Sequence, residues 1–273
     1  MLSRRKLIQS IGLAAAGFAT ADRESKASQM PGRPAAAESG QNPASPSSIM
    51  AIAAHPGDAF FSMGLPVALQ THLGARGALL SLTAGEKGSR TVAPPDYGRQ
   101  QRAAGERAAE MLAATAVTLD YPDGELPHSD DVKLAICDLI RKHRPDVIVT
   151  HWSGSWHKDH RASHEIVLDA VFYAALPALA RKDSAHSVRK VLFADNWEDA
   201  TGFSGDTYLD VSPVFDHWTE ACAVFPMWRG ETGFRYRDYY TSLAIARGCL
   251  GGFNRAVALM SAPEQLMRKL TAL

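Results

Sequence analysis

Two segments of this chain place metal-ligating side chains just beyond short apolar runs. Ile49-Met50-Ala51-Ile52 leads into Ala53-Ala54-His55-Pro56-Gly57-Asp58, and Asp146-Val147-Ile148-Val149-Thr150 leads into His151-Trp152-Ser153-Gly154-Ser155-Trp156-His157-Lys158-Asp159-His160. An apolar run that stops at polar residues reads as a buried strand opening into a loop, and open α/β sheets carry their chemistry at the carboxyl ends of strands. If the two loops share a crevice, His55, Asp58 and His160 supply two imidazoles and a carboxylate. Catalytic zinc sites use such donors and keep one position open for water. Other divalent ions accept the same set, so the residues define a donor class and not an element.

The elements that must position these side chains alternate. Strands are expected at Ile49–Ala54, Ala78–Thr83, Ala116–Asp120, Asp146–Thr150, Val191–Ala194 and Tyr208–Val211. Helices are expected at Met63–Leu73, Tyr97–Ala114, Asp130–His143, Arg161–Ala180, Pro213–Phe225, Tyr236–Arg247 and Pro263–Leu270. This order predicts an α/β fold, Rossmann-like, with a mostly parallel sheet and helices on both faces. No G-x-G-x-x-G follows the first strand, which argues against a nicotinamide or flavin enzyme.

The two histidine segments resemble the PIG-L/LmbE-like family of zinc-dependent deacetylases, which carries His-Pro-Asp-Asp-Glu after the first strand and His-x-Asp-His after a later one. Leu82-Thr83-Ala84-Gly85-Glu86-Lys87-Gly88-Ser89 and Leu119-Asp120-Tyr121-Pro122-Asp123-Gly124-Glu125-Leu126 also look like family segments in the family's order. The similarity runs from Ile49 to Ala258. It implies an LmbE-like deacetylase fold with His55, Asp58 and His160 on zinc or another divalent metal, and His157 and Asp159 as catalytic groups. It also gives Asp159 the task of orienting His157, which would serve as imidazolium or hydrogen-bond donor toward an oxyanion. The implied reaction is hydrolysis of a linear amide: removal of acetyl from an N-acetylated amino sugar or glycoconjugate.

Some positions depart from the family pattern. Gly57 stands where the family has its general-base Asp, and Ala59 where a Glu follows. Phe225 takes the place of a family histidine, and Val257 that of a Glu. Asp159 is then the nearest carboxylate in sequence to replace the base. These losses sustain a second reading, a catalytically impaired relative that binds metal and a glycan-like ligand without turnover.

Other residues have plain readings beside functional ones. His164 could pair with His160 at i,i+4, but a packed or capping histidine is the preferred reading. His151 at a strand end could touch substrate. Asp123 fits a turn as well as a site neighbour, and Arg102 with Glu106 fits a surface ion pair as well as a brace for the site.

Ser3-Arg4-Arg5-Lys6-Leu7 is followed by an Ala/Gly-rich stretch and Ala19-Thr20-Ala21. This is read as a twin-arginine signal peptide over 1–21, directing export to the periplasm or beyond. Its apolar stretch is too short for a stable membrane span. Residues 22–48 are nearly free of large apolar side chains and are expected to be a disordered linker. Residues 49–273 are expected to form the deacetylase domain. The 29 Lys and Arg balance the 29 Asp and Glu, and no basic run follows the leader, so no footprint for nucleic acid exists. Cys137, Cys222 and Cys249 lack CxxC spacing, which argues against a cysteine zinc site. The sequence leaves the sugar and the oligomeric state open.

Overall fold

The computed structural model describes residues 46–262. The expected leader, nearly all of the linker and the helix expected at Pro263–Leu270 lie outside them. Seven strands, β1 (Ile49–Ala53), β2 (Gly77–Thr83), β3 (Thr115–Tyr121), β4 (Val147–Thr150), β5 (Lys190–Ala194), β6 (Thr207–Asp210) and β7 (Ala256–Ser261), form one sheet in the order β3-β2-β1-β4-β5-β7-β6. The first five are parallel, and β7 runs antiparallel to both β5 and β6.

β1 is the centre of the sheet: Ile49 pairs with Gly77 of β2 on one side and Val147 of β4 on the other. All five of its residues are buried, as expected of a parallel strand covered on both faces. One face packs on α1 (Pro56–Phe61), α2 (Gly64–His72), α3 (Pro94–Met111), α6 (Phe215–Cys222) and α7 (Tyr236–Gly251), with Phe60, Leu65, Trp218 and Trp228 in the layer. The other packs on α4 (Asp130–His143) and α5 (Lys158–Ala175) through Ile136, Ile140, Ile166 and Val167.

The strand order reverses direction at β1. The chain leaves β1 toward β2 and β3, and returns on the other side as β4. A crevice opens at such a switch point beyond the carboxyl ends of the strands, so the loops after β1 and β4 meet there. Their roots are fixed by hydrogen bonds: Thr83 donates from both N–H and Oγ1 to the Ala54 carbonyl, and Thr150 Oγ1 donates to the Ile52 carbonyl.

Two helices differ from the sequence reading in ways that concern the crevice. A helix begins at Pro56, within the first motif, where proline's fixed φ and missing N–H suit a first-turn position. α5 starts at Lys158, three residues earlier than expected, because His157 caps it. It ends at Ala175, since Leu176 precedes Pro177 and is extended. β7 was not foreseen. Ala256-Val257-Ala258-Leu259-Met260-Ser261 is a short apolar run, whose periodicity does not separate strand from buried helix.

Candidate metal centre and its cleft

The side chains of His55, Asp58 and His160 converge at the switch point. His55 Nδ1 lies 2.9 Å from Asp58 Oδ2, which is 3.1 Å from His160 Nε2, and the two imidazole nitrogens are 3.3 Å apart. A tetrahedral zinc with bonds of 2.0–2.1 Å has ligand-to-ligand edges of roughly 3.3 Å. The local cause is simple. α1 starts at Pro56, so Asp58 sits in its first turn, three residues past the capping His55 and on the same side. His160 projects from the first turn of α5.

The outer atoms of the same three residues are held in place. His160 Nδ1 is 2.8 Å from Asp199 Oδ1, and Asn196 Nδ2 donates to Asp58 Oδ1 at 2.8 Å. His55 Nε2 approaches Asp123 Oδ1 at 3.1 Å and Asp159 Oδ2 at 3.6 Å, close in distance though not aligned as hydrogen bonds. Histidines on metals present their second nitrogen to carboxylates in this manner, which fixes the ring and raises its basicity. The donor atoms therefore fit a divalent cation.

Charge in the cluster follows from burial and proximity. Burial raises the Asp58 carboxyl, but the charge of His160 and hydrogen bonds from His160 and His55 outweigh it and hold the group well below the usual range. Burial lowers His160, yet Asp58 and Asp199 lift it to about 9. His55 is likewise raised, with Asp123, Asp159 and Asp58 overcoming burial. The two imidazoles thus carry protons in the metal-free cluster, and a cation must displace them. His157 behaves oppositely. Burial, then the charges of His55 and His160, push it down to about 4. It is neutral near pH 7, and its Nδ1 accepts from the Asp159 N–H at 3.2 Å, which leaves the ring proton on Nε2. The imidazolium role considered from sequence gives way to that of a neutral donor.

Asp159 does not orient His157 through its carboxylate. The buried carboxylate accepts from the Gly124 N–H at 2.6 Å and the Leu126 N–H at 3.3 Å and faces His55. Only its backbone N–H meets His157. Gly124 aims its N–H from a left-handed turn, φ 75°, a conformation that favours glycine. Asp123 is both turn residue and site neighbour, 3.1 Å from His55. His151 is fully buried and out of substrate's reach: its Nε2 accepts from the Ala54 N–H and its Nδ1 bonds Asp199. His164 turns away from the cluster, bonding the His151 carbonyl and packing on Trp152 and Phe193. Arg102 does not pair with Glu106 but clasps β3 through the Thr118 and Leu119 carbonyls and Asp120.

The remaining departures from the family pattern fall as follows. Phe225 is buried among Phe60 and Phe61. Val257 lies in β7, opposite Leu209 of β6, and packs against the core. Gly57 sits in α1 with ordinary helical backbone, and a Cβ there would meet Met227 Cε at 3.1 Å and Sδ at 3.3 Å. Met227 fills the direction a longer side chain would take.

A cleft of about 150 Å³ opens over the cluster, lined among others by His55, Asp58, His157, Glu198 and Tyr236. Glu198 escaped the sequence reading. It lies in a short 3-10 turn, Trp197–Asp199, after β5, with its N–H capped by the Asn196 side chain. Its Oε2 is 3.4 Å from His160 Nε2. Among the described residues no hydrogen bond to its carboxylate is found. Burial, then the charge of Asp58, raise it to about 7, against the pull of His160 and His55. A signal existed: Asp195-Asn196-Trp197-Glu198-Asp199 directly follows a third predicted strand, Val191–Ala194, at the same end of the sheet.

Fold and site together define a Rossmann-like α/β protein with a candidate metal cluster at its switch point. Residues 50–171, which include all three converging residues, match the family described as PIG-L: GlcNAc-PI de-N-acetylase. The chain is 29% identical to a diacetylchitobiose deacetylase of Thermococcus kodakarensis, over 79% of this chain and 83% of the relative. It is 28% identical to a 1D-myo-inositol 2-acetamido-2-deoxy-alpha-D-glucopyranoside deacetylase of Catenulispora acidiphila, over 52% of this chain and 54% of the relative. Among solved structures, the 4-carboxy-2-hydroxymuconate hydratase of Pseudomonas putida superposes with a TM-score of 0.74 at 19% identity, over 83% of this chain and 99% of that one. The last likeness concerns the fold alone.

Proposed function

We propose that this protein is a metal-dependent N-deacetylase, a hydrolase of linear amides acting on an N-acetylated amino sugar or glycoconjugate. One observation carries the reading: three donor atoms spaced for a single cation border a cleft that Glu198 also lines, 3.4 Å from one of them. The names of the two deacetylase relatives point the same way. His55, Asp58 and His160 would hold the ion, zinc by donor preference, and it would supply Lewis acidity to the amide carbonyl and to water.

The chain's own groups account for the proton movements. Glu198 accepts a proton from the water whose oxygen bonds to the acetyl carbon. The neutral His157 donates its Nε2–H as a hydrogen bond to the carbonyl oxygen as charge builds there. The proton held by Glu198 passes to the amide nitrogen as the C–N bond breaks, giving acetate and the free amine. A carboxylate with a pKa near the working pH suits this double duty.

A second reading, a binder without turnover, draws on Gly57 and on Met227 filling the space beside it. Acetate release from a panel of N-acetyl sugars, with metal-replete protein, decides between them. Release from at least one sugar is expected, and none from any would favour the binder. We also propose twin-arginine export. Arg4→Lys with Arg5→Lys should leave precursor in the cytoplasm on fractionation, and normal export of that variant would refute it.

No helix among the described residues is long and apolar enough to cross a membrane.

A further inference from the structure

Beside the cleft a chain of aromatic rings runs outward from the core, and its outermost member, Trp156, is explained by neither the cluster nor the core. Trp156 is 64% exposed, unusual for so large an apolar ring. It stands 5.8 Å from His157 and, edge to face, 5.8 Å from Trp197. Trp197 stacks on Phe234 at 4.4 Å with 13° between the planes, and Phe234 meets Tyr236 at 4.7 Å. Both ends of this chain of rings, His157 and Tyr236, line the cleft. The rings therefore form a continuous rim from one cleft wall to the other. An exposed tryptophan continuous with half-buried aromatic rings beside a polar cleft is the kind of surface that ligands use.

The rim is rigid. Trp156 N–H and Ser155 Oγ both donate to the Glu198 carbonyl, and the Thr201 N–H donates to the Gly154 carbonyl. A Cβ on Gly154 would collide with the Thr201 carbonyl, so glycine permits this close crossing of the two loops. Arg161 holds the Trp156 carbonyl. Trp156 is thus presented on a braced loop, and its order is already established before ligand arrives.

On the reading of the cleft as a deacetylase site, we infer that the Trp156–Trp197–Phe234 rim is a subsite for a second sugar ring, linked to the N-acetylated residue seated in the cleft. A pyranose has one face of axial C–H bonds and an edge of hydroxyls. A flat, exposed ring such as Trp156 accepts the C–H face while water keeps the hydroxyls solvated. The preferred substrate is then an oligosaccharide or a sugar-terminated conjugate, with the monosaccharide the poorer ligand.

The test uses the metal-replete protein with glucosamine and its β-1,4-linked dimer, which carry no acetyl group to lose, and an alkyl glycoside of glucosamine. Binding is read by calorimetry and by Trp fluorescence. The dimer should bind about tenfold more tightly than the monomer, the magnitude of one favourable aromatic contact. Trp156→Ala, at an exposed position, should erase that advantage without changing monomer binding or circular dichroism. Equal binding of monomer and dimer, or an advantage that survives Trp156→Ala and Trp197→Ala, overturns the subsite. A gain for the alkyl glycoside alone assigns the rim to a hydrophobic aglycone and overturns the sugar assignment. Acetate release from the panel of N-acetyl sugars, the N-acetylated dimer included and measured in parallel, reports on the deacetylase reading separately. A Trp156-dependent dimer advantage without any acetate release would leave the subsite standing and remove that reading.

Discussion

The loops after β4 and β5 are hydrogen-bonded to each other beside the cleft, and each brings a carboxylate to the histidine cluster. Asp159, from the first, accepts two backbone N–H bonds and is wholly buried. Glu198, from the second, sits on a turn whose backbone is clamped, while its carboxylate accepts no hydrogen bond among the described residues and lies 3.4 Å from His160. Their acidities diverge accordingly. Burial raises both, but the nearby His55 imidazole and hydrogen bonds from the Gly124 and Leu126 amides bring Asp159 below its ordinary value, whereas Asp58 adds its repulsion and Glu198 reaches about 7. A carboxylate stabilised as the anion by fixed donors is a structural counter-charge, and one left near neutrality with free lone pairs can exchange protons. Sequence proximity to His160 favoured Asp159 as the replacement base. The geometry favours Glu198.

The largest expected effect lies where the two loops meet. His55→Ala, Asp58→Ala and His160→Ala should each lower retained divalent metal, about one per chain in the wild type, as measured by elemental analysis. Acetate release should fall with it. Unchanged metal content in all three variants would remove the cluster from the account, and the comparison of the two carboxylates with it.

Next come the carboxylates themselves. Glu198→Gln should reduce kcat by roughly 10²- to 10⁴-fold with metal content intact, the range a positioned acid–base group contributes. Asp159→Asn should instead weaken metal retention 10- to 100-fold, as substitutions beside a ligating histidine do, and leave kcat of the metal-saturated protein within about tenfold. If Asp159→Asn abolishes turnover at full metal occupancy while Glu198→Gln does not, the assignment is reversed. Stability adds a second signature. The Asp159 carboxyl titrates below its ordinary value in the folded chain, so its stabilising contribution is present above about pH 4, the usual range of an unfolded Asp, and fades as pH falls toward the folded value. Denaturant titrations should show the difference between wild type and Asp159→Asn shrinking on that acid side.

The smallest expected effect concerns the position that lost its carboxylate. In the Glu198→Gln background, Gly57→Asp should restore a minor fraction of acetate release, and more so with Met227→Ala, because Met227 occupies the space the new side chain needs. The helical backbone at Gly57 accepts an aspartate without left-handed strain. No recovery in the double substitution, with metal still bound, would show that a base on the α1 side serves no purpose here.

Much of the site was legible because its residues lie at strand ends within short segments. His55, Asp58 and His160 are three of the residues that two apolar runs deliver to one edge of the sheet, and a parallel sheet with a central β1 leaves few other places for them. Asp130–His143 matched its helix to the residue, since its amphipathic period and the Arg144 cap in left-handed conformation are both local. β7 was not legible and Glu198 was marked only by its place after a predicted strand, for one shared reason: each acquires its role from a partner distant in sequence. β7 is a strand because β5 and β6 flank it.

The sequence by itself determined the α/β alternation, the two loops and the donor types in them, because period, turn chemistry and residue identity are local properties. Tertiary structure alone decided the rest. It made Asp159 a counter-charge through amides of the Gly124 turn. It buried His151 against the Ala54 N–H, brought Glu198, 39 residues past Asp159, to the lining of the cleft, and set Met227 beside Gly57. Burial and the direction of a hydrogen bond set the acidity and reach of a side chain, and both are fixed only when remote segments pack.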